Sequence, residues 1–127
     1  MFKRIDHVEI VTLDMEKTVG FYTRVLSFSV KQKLPMRSGS PWKEIVFLTL
    51  GDTMLELLSP AGPVQGQSGQ GQLGYRMMAI EVEDMDKALE YLKGQGVEIS
   101  RPPLSPGRPS RAEIKDPNGF TIEIRQW

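Results

Sequence analysis

Residues 7–17 of the chain read HVEIVTLDMEK, and residues 77–87 read MMAIEVEDMDK. Four positions of the first stretch recur in register in the second, since Ile10, Asp14, Met15 and Lys17 return as Ile80, Asp84, Met85 and Lys87. The segment GDTMLELL at 51–58 resembles NGFTIEIR at 118–125 in the same way. Similarity at both ends of the two halves indicates an internal duplication, and the repeated unit decides the fold.

The duplication aligns four side chains of chemical interest. His7 aligns with Met77, and Glu56 aligns with Glu123. Imidazole and carboxylate groups bind metals and transfer protons, whereas a thioether is a poor ligand for most divalent ions. The mismatch between His7 and Met77 is therefore the main question about the chemistry of this chain.

The composition is that of one soluble globular domain. The chain has 127 residues, 39% of them hydrophobic and 25% charged, which is enough to bury a core. Its 16 basic and 16 acidic side chains balance, which argues against capture of nucleic acid or an anionic membrane. The chain has no cysteine, no apolar run long enough to span a bilayer and no signal-like N-terminus. We therefore expect a cytoplasmic protein without disulfides or thiolate chemistry.

The first copy has the pattern of a βαβββ unit. Alternation over residues 4–12 predicts a strand, and Asp14 is suited to cap the helix that follows. Gly51-Asp52 predicts a tight hairpin between the last two of three further strands. Those strands are predicted at 28–33, 44–50 and 53–58.

The second copy repeats this order. A strand at 76–83 leads into a helix at 84–94, with Gly96 just beyond its end. The segment Asp116-Pro117-Asn118-Gly119 predicts the turn before the last strand. The remaining strands are predicted at 97–100, 110–115 and 119–125.

Between the copies, residues 59–74 are rich in Gly and Gln, which predicts a flexible linker. The expected organisation is module one at 1–58, the linker, and module two at 75–127. We predict an α+β fold in which the two βαβββ modules form an eight-stranded curved sheet around a cleft. An exposed sheet edge favours a homodimer.

The motifs and their order resemble the vicinal oxygen chelate superfamily over essentially the whole chain apart from the linker. The resemblance implies a single glyoxalase-like domain. Members include glyoxalase I (lactoylglutathione lyase) and methylmalonyl-CoA epimerase, which this chain resembles most, and also extradiol dioxygenases, fosfomycin-resistance thiol transferases and bleomycin-resistance proteins. The motifs that carry the resemblance are His-x-x-Ile from His7, Asp-Met-Glu/Asp-Lys at each helix start, Phe21-Tyr22, the Asp116 turn, and Ile122-Glu123.

The resemblance implies four side chains pointing into the cleft, namely His7, Glu56, Met77 and Glu123. In the metal-using members, the metal polarises a carbonyl, and a glutamate at the Glu123 position removes a proton alpha to it. His7, Glu56 and Glu123 are thus the candidate metal ligands, and Glu123 is also the candidate base. This chain departs from the family pattern at Met77, where glyoxalase I and the epimerase have histidine.

Three ligands can still hold a divalent zinc, nickel, cobalt or manganese ion, although a site without the fourth is expected to be weaker. Met77 has a simpler interpretation as an apolar part of the cleft wall. Glu9 and Glu81 share faces with His7 and Met77 and could enter the cleft as extra acids, but we favour a solvated or ion-paired strand end for both.

Weaker signals come from two loops. Arg101, Arg108 and Arg111 lie in a proline-rich segment without acids, and they could bind a carboxylate or a phosphate on a substrate. The alternative, which we slightly favour, is a rigid loop whose arginines are solvated. Trp42 could stack on a ligand or pack over the end of the sheet.

Two functions compete. The first is a metal-dependent lyase or isomerase of the lactoylglutathione lyase or epimerase type. The second is a metal-free protein of the bleomycin-resistance type, whose cleft binds a small molecule. A dioxygenase ranks third because its iron site usually needs two histidines, and the chain has one.

Overall fold

The computed structural model describes Met1, residues 3–64 and residues 75–127. The chain divides into two compact units, Met1–Gly66 and Gln67–Trp127. Each unit has the predicted βαβββ order and one four-stranded mixed sheet, which confirms the α+β class and the duplication. The closure of both sheets around a common cleft stays a prediction.

The elements of the first unit are β1 (Val8–Val11), α1 (Met15–Gly20), β2 (Ser29–Leu34), β3 (Trp42–Leu50) and β4 (Thr53–Pro60). The strands form a sheet in the order β1-β4-β3-β2, with β1 parallel to β4 and the other pairs antiparallel. After six residues, α1 continues into a π-helical turn at Phe21–Val25 that the sequence did not predict.

The elements of the second unit are β5 (Met78–Glu81), α2 (Met85–Gly94), β6 (Ile99–Arg101), β7 (Ser110–Lys115) and β8 (Thr121–Gln126). This unit repeats the topology of the first in the order β5-β8-β7-β6, with β5 parallel to β8. In both units the sequential hairpins are antiparallel, and the first strand joins the edge of the sheet beside the last.

The helix boundaries follow local chemistry. The side chain of Asp14 accepts a hydrogen bond from the Lys17 amide at 3.0 Å, which confirms the predicted N-cap. Asp84 accepts from the Lys87 amide at 3.1 Å in the second unit. Gly96, with φ +75°, ends α2 in a Schellman motif, in which the amide of Val97 bonds to the Leu92 carbonyl.

Several predicted boundaries were wrong. The strand predicted at 4–12 is confined to β1, because its pairing with β4 begins at Val8. The linker was predicted to start at residue 59, but β4 continues to Pro60, which pairs with Trp42. The flexibility predicted for the linker concerns mainly residues 65–74, which lie outside the described part of the chain.

Each unit packs its helix on one face of its sheet, and the buried hydrophobic residues lie between them. The opposite face of each sheet carries the candidate functional residues, and we call it the helix-free face. The helix-side core of the first unit comprises Met15, Tyr22, Val46, Leu48, Leu55 and Leu57. That of the second unit comprises Met85, Leu89, Leu92, Ala112, Ile114, Ile122 and Ile124. Within the described residues, no helix is long and apolar enough to cross a bilayer.

The buried side chain of Gln126 connects β8 to the start of α2. Its Oε1 accepts from the Met85 amide at 3.0 Å, and its Nε2 donates to the Glu83 carbonyl at 2.7 Å.

We predict that Gln126→Ala lowers the free energy of unfolding by about 1–3 kcal/mol, because it leaves buried backbone groups without partners. Urea denaturation measures this loss, with the exposed Gln95→Ala as the matched control. Equal stability of the two variants would contradict the assignment.

Candidate functional site

In the first unit, the parallel pairing of β1 with β4 brings a histidine and two glutamates together. Glu9 lies directly beside Glu56 in the register, and His7 lies two residues before Glu9, on the same side of the alternating chain. Phe47 of β3 pairs with Glu56 and meets the His7 ring edge-on, with the ring centroids 6.0 Å apart. An aromatic ring therefore borders the cluster on the β3 side.

His7 Nε2 lies at the centre of this cluster. It is 3.0 Å from Glu56 Oε2 and 3.6 Å from Glu9 Oε1. One ligand atom from each of the three residues lies within 4.8 Å of the other two. An imidazole with two carboxylates is a donor set that zinc, nickel, cobalt and manganese accept. The donor chemistry of these residues therefore fits the divalent metal expected from the family resemblance.

The other ring nitrogen of His7 is held by Asp6. The distance from Nδ1 to Asp6 Oδ2 is 3.0 Å. In the neutral ring with its hydrogen on Nδ1 and donated to Asp6, the Nε2 lone pair is available to a metal. In the charged ring both nitrogens donate, Nδ1 to Asp6 and Nε2 to Glu56. Histidines that bind metals are commonly oriented by a carboxylate in this way.

The electrostatics of the cluster follow from burial and from its excess of acids. Burial raises the pKa of Glu56, and the negative charge of Glu9 raises it further. The pKa of His7 is also raised, first by its hydrogen bond to Asp6 and then by the charge of Glu56, while burial opposes the shift. Three carboxylates surround one imidazole, so a bound cation would relieve their mutual repulsion.

The described part of the second unit, residues 75–127, has no counterpart of this cluster. Ala79 stands beside Glu123 in the parallel register, where the first unit has Glu9. Met77, which aligns with His7, precedes β5 and is half-buried. Within residues 75–127, no three histidine or acidic side chains come within ligand distance of one another.

Glu123 binds two arginines instead. Its Oε2 accepts from Arg111 Nη2 at 2.9 Å, and its Oε1 accepts from Arg125 Nη2 at 2.6 Å and from Arg125 Nε at 2.7 Å. Charge-assisted hydrogen bonds of this kind are shorter and stronger than those between neutral groups. The predicted ligands therefore occupy two settings, with His7 and Glu56 together in the first unit and Glu123 in an arginine network of the second.

A second buried glutamate belongs to this network. Glu113 of β7 pairs with Glu123 of β8 and accepts from Arg111 Nη2 at 2.7 Å. Arg76 and Arg101 approach Glu113 Oε1 to 3.8 and 3.9 Å. Where the first unit gathers acids around a histidine, the second unit gathers arginines around two acids.

The four predicted substrate-binding residues lie in different places. Arg101 and Arg111 both reach the network around Glu113. Arg108 is exposed on the loop before β7 and lines a depression beside the start of α2. Trp42 begins β3 in the first unit and is half-buried.

Sequence reasoning gave too little weight to Glu9 and passed over Glu113, Arg76 and Arg125. Glu9 is exposed and ion-paired, as expected, but it also belongs to the ligand cluster. A signal for Glu113 was available, because the alternation of β7 puts it on the face opposite to the buried Ala112 and Ile114.

Comparison with known proteins gives a consistent result. The model of the Glyoxalase/Bleomycin resistance protein/Dioxygenase superfamily matches residues 4–124. Human mitochondrial methylmalonyl-CoA epimerase is 29% identical over 97% of this chain and 73% of its own length. A probable lactoylglutathione lyase of Vibrio cholerae is 29% identical over 97% of this chain and 90% of its own.

A solved structure shares the fold. The glyoxalase family protein from Enterococcus faecalis superimposes with a TM-score of 0.81 at 26% identity, and the match covers 98% of both chains. Because the family model spans nearly the whole sequence and both modules have the expected topology, the chain belongs to the Glyoxalase/Bleomycin resistance protein/Dioxygenase superfamily.

Proposed function

We propose that this chain is a metal-dependent isomerase or lyase whose reaction begins with removal of a proton alpha to a carbonyl. The observation that carries the proposal is the cluster of His7, Glu9 and Glu56, with its ligand atoms within 4.8 Å of one another. The partners would be a small-molecule substrate and, as the sheet edges suggest, a second copy of the chain.

The three residues of the cluster would hold the metal through His7 Nε2 and the two carboxylates. Zinc, nickel, cobalt or manganese in such a site polarises a carbonyl oxygen and so acidifies the neighbouring C–H bond. Asp6 keeps the imidazole in the orientation that directs Nε2 at the site. The site needs the neutral imidazole, so protonated His7 opposes metal binding.

The proton must pass to a carboxylate near the site. Glu56 lies 3.0 Å from His7 Nε2, so an oxygen of its carboxylate that does not bind the metal would lie close to the polarised carbonyl and could take the proton. Glu123, the base predicted from the family pattern, accepts hydrogen bonds from two arginines, and would have to leave them in order to act. We therefore propose Glu56 as the proton acceptor, with Glu123 as the alternative.

The relatives support this class of reaction. Methylmalonyl-CoA and lactoylglutathione, the compounds in the names of the human and Vibrio proteins, are both thioesters with a hydrogen alpha to the carbonyl. Each reaction class can begin with the same proton removal, which makes the two compounds suitable first substrates.

One observation favours a second function. Met77 and Ala79 leave the second unit without metal ligands beside Glu123, and Glu123 is satisfied by arginines. A metal-free binding protein of the bleomycin-resistance type would tolerate this arrangement.

Exchange of the alpha hydrogen with solvent tests the proposed reaction. In D2O, the chain supplied with zinc, nickel, cobalt or manganese should exchange this hydrogen in methylmalonyl-CoA or in lactoylglutathione, as followed by proton NMR. A metal chelator should stop the exchange. Because the base and the ligands act together, Glu56→Gln should slow it by about 100-fold or more.

Glu90→Gln is the matched control, since Glu90 is an exposed glutamate on α2 of the second unit. Its exchange rate should equal that of the unchanged chain, whereas Glu9→Gln should lower the rate. Exchange that persists in the chelator, or the absence of exchange with all four metals, would reject the metal-dependent reaction.

The pKa of His7, the single histidine of the chain, tests the electrostatics of the cluster. An NMR titration of its imidazole should give a pKa above 6.5, because Asp6 and Glu56 favour the charged ring. Asp6→Asn should lower this pKa, while Asp86→Asn, an exposed change in the second unit, should leave it unchanged.

The sign of the effect on stability follows from linkage. Because the pKa of His7 is raised in the folded chain, the unchanged chain should have a higher free energy of unfolding than Asp6→Asn below pH 6.5. This difference is lost as the pH rises through the raised pKa of His7. Urea denaturation of both chains across this range measures the difference. A difference in stability that grows with rising pH would contradict the assignment.

A further inference from the structure

The helix-free face of the second unit gathers four arginines around two buried glutamates. Arg111 and Arg125 make the close contacts to the carboxylates, at 2.6–2.9 Å. Arg76 and Arg101 lie farther away, at 3.8 and 3.9 Å from Glu113 Oε1. The cluster consists of Arg76, Arg101, Arg111, Arg125, Glu113 and Glu123.

The cluster carries more positive than negative charge. Four guanidiniums face two carboxylates, which leaves two positive charges in excess. Lys115 and Glu81 share this face through the alternation of β7 and β5, and their charges cancel. The excess lies within a partly buried region, where like charges are screened less than in open water.

Not all of the guanidinium donors serve the glutamates. Glu113 and Glu123 are already satisfied by Arg111 and Arg125. The Arg76 and Arg101 side chains are 53% and 50% exposed and stay beyond hydrogen-bonding distance of Glu113, so their N–H groups can reach a ligand.

A buried donor on the same face also indicates that an acceptor is missing. Arg111 Nε is buried and has no hydrogen-bond partner among the described residues. Buried donors in proteins are almost always satisfied, so an unsatisfied one calls for a specific acceptor.

The equivalent face of the first unit has the opposite character. There, Phe47 occupies the position of Glu113, since each pairs with the glutamate of the last strand. Among the described residues of the first unit, no arginine cluster lies beside Glu56, and Asp6 and Glu9 add negative charge around His7. The duplicated scaffold therefore presents a surface suited to a cation in one unit and a surface suited to an anion in the other.

We propose that the arginine cluster is a binding site for an oxyanion group with about two negative charges, a phosphate or a dicarboxylate. Guanidinium forks match both groups, because each offers paired oxygen acceptors. Arg76 and Arg101 supply the outer contacts, and Arg111 lies beneath them. The claim that this site recognises part of the substrate rests on the proposed function. The claim that the site binds an anion does not depend on that function.

A purely structural role accounts for only half of the cluster. Arg111 and Arg125 neutralise the two glutamates, so their contribution to the sheet is complete without further cations. Arg76 and Arg101 add only longer ion pairs to Glu113, at 3.8 and 3.9 Å, and they leave the cluster with two positive charges in excess. A bound anion supplies the missing negative charge. Arg108, predicted with Arg101 and Arg111 as a substrate contact, forms no ion pair with either glutamate in the described structure and is not included.

Calorimetric titration of the metal-free, full-length chain tests the site, with inorganic phosphate and malonate as separate probes. We expect saturable binding of at least one probe, and the comparison identifies phosphate or dicarboxylate as the preferred ligand. Rising salt should weaken the binding because the attraction is electrostatic.

The double variant Arg76→Gln, Arg101→Gln should weaken binding by about tenfold or more, the equivalent of about 1.4 kcal/mol. The matched control Arg37→Gln removes an exposed arginine of the first unit and should leave binding unchanged. NMR spectra of both variants verify that the fold is retained. The absence of saturable binding, or equal binding by the double variant and the control, would overturn the proposal.

The outcome is separable from that of the proposed function, since no metal or turnover is needed. Anion binding without alpha-hydrogen exchange would retain this site and reject the reaction. Exchange without anion binding would retain the reaction and reject the site. If both hold, the double variant should raise KM for an anionic substrate more than it lowers kcat.

Discussion

The parallel register of β1 against β4 is the constraint on which the candidate chemistry depends. It places Glu9 directly beside Glu56, and His7, two residues earlier, comes within 3.0 Å of the Glu56 carboxylate. A slip of one residue would turn His7 and Glu9 to the helix side of the sheet, because side chains alternate between faces. The buried apolar residues on that side oppose such a slip, so packing of the core also fixes the geometry of the acids.

The same scaffold occurs twice, with different electrostatics. In both units, a parallel edge strand lies next to a strand that carries a buried glutamate. In the first unit, Asp6, His7 and Glu9 surround this glutamate. In the second, the neighbours are arginines, and Met77 and Ala79 replace the possible ligands. The duplication therefore preserved the backbone topology while the two helix-free faces diverged in charge.

Much of the fold could be predicted from the sequence, since its signals are local. The alternation of strands, the N-cap at Asp14, the hairpin at Gly51 and the turn at Asp116 each depend on a few neighbouring residues, and the structure contains them all. The π-helical turn at Phe21–Val25 was not predicted, because the sequence gives no clear local signal for it.

The candidate site was predictable only in part. The repeat aligns Glu56 with Glu123 and therefore predicts that they occupy equivalent positions on equivalent strands. The alternation of side chains shows which face of the sheet a residue occupies, but not which residue lies beside it. The neighbours of Glu56 and Glu123 depend on contacts between distant segments. For this reason the part of Glu9 in the ligand cluster, and the ion pairs of Glu123 with Arg111 and Arg125, emerged only from the structure.

The most direct test of the central claim is anomalous diffraction at the zinc edge from crystals of the chain soaked in a zinc salt. The account predicts a peak about 2.0–2.1 Å from His7 Nε2, with a carboxylate oxygen of Glu9 or Glu56 also in the coordination sphere. Crystals of His7→Ala should lose this peak. A peak that persists in the variant, or no peak beside His7 in the unchanged chain, would contradict the assignment of a metal site to the first unit.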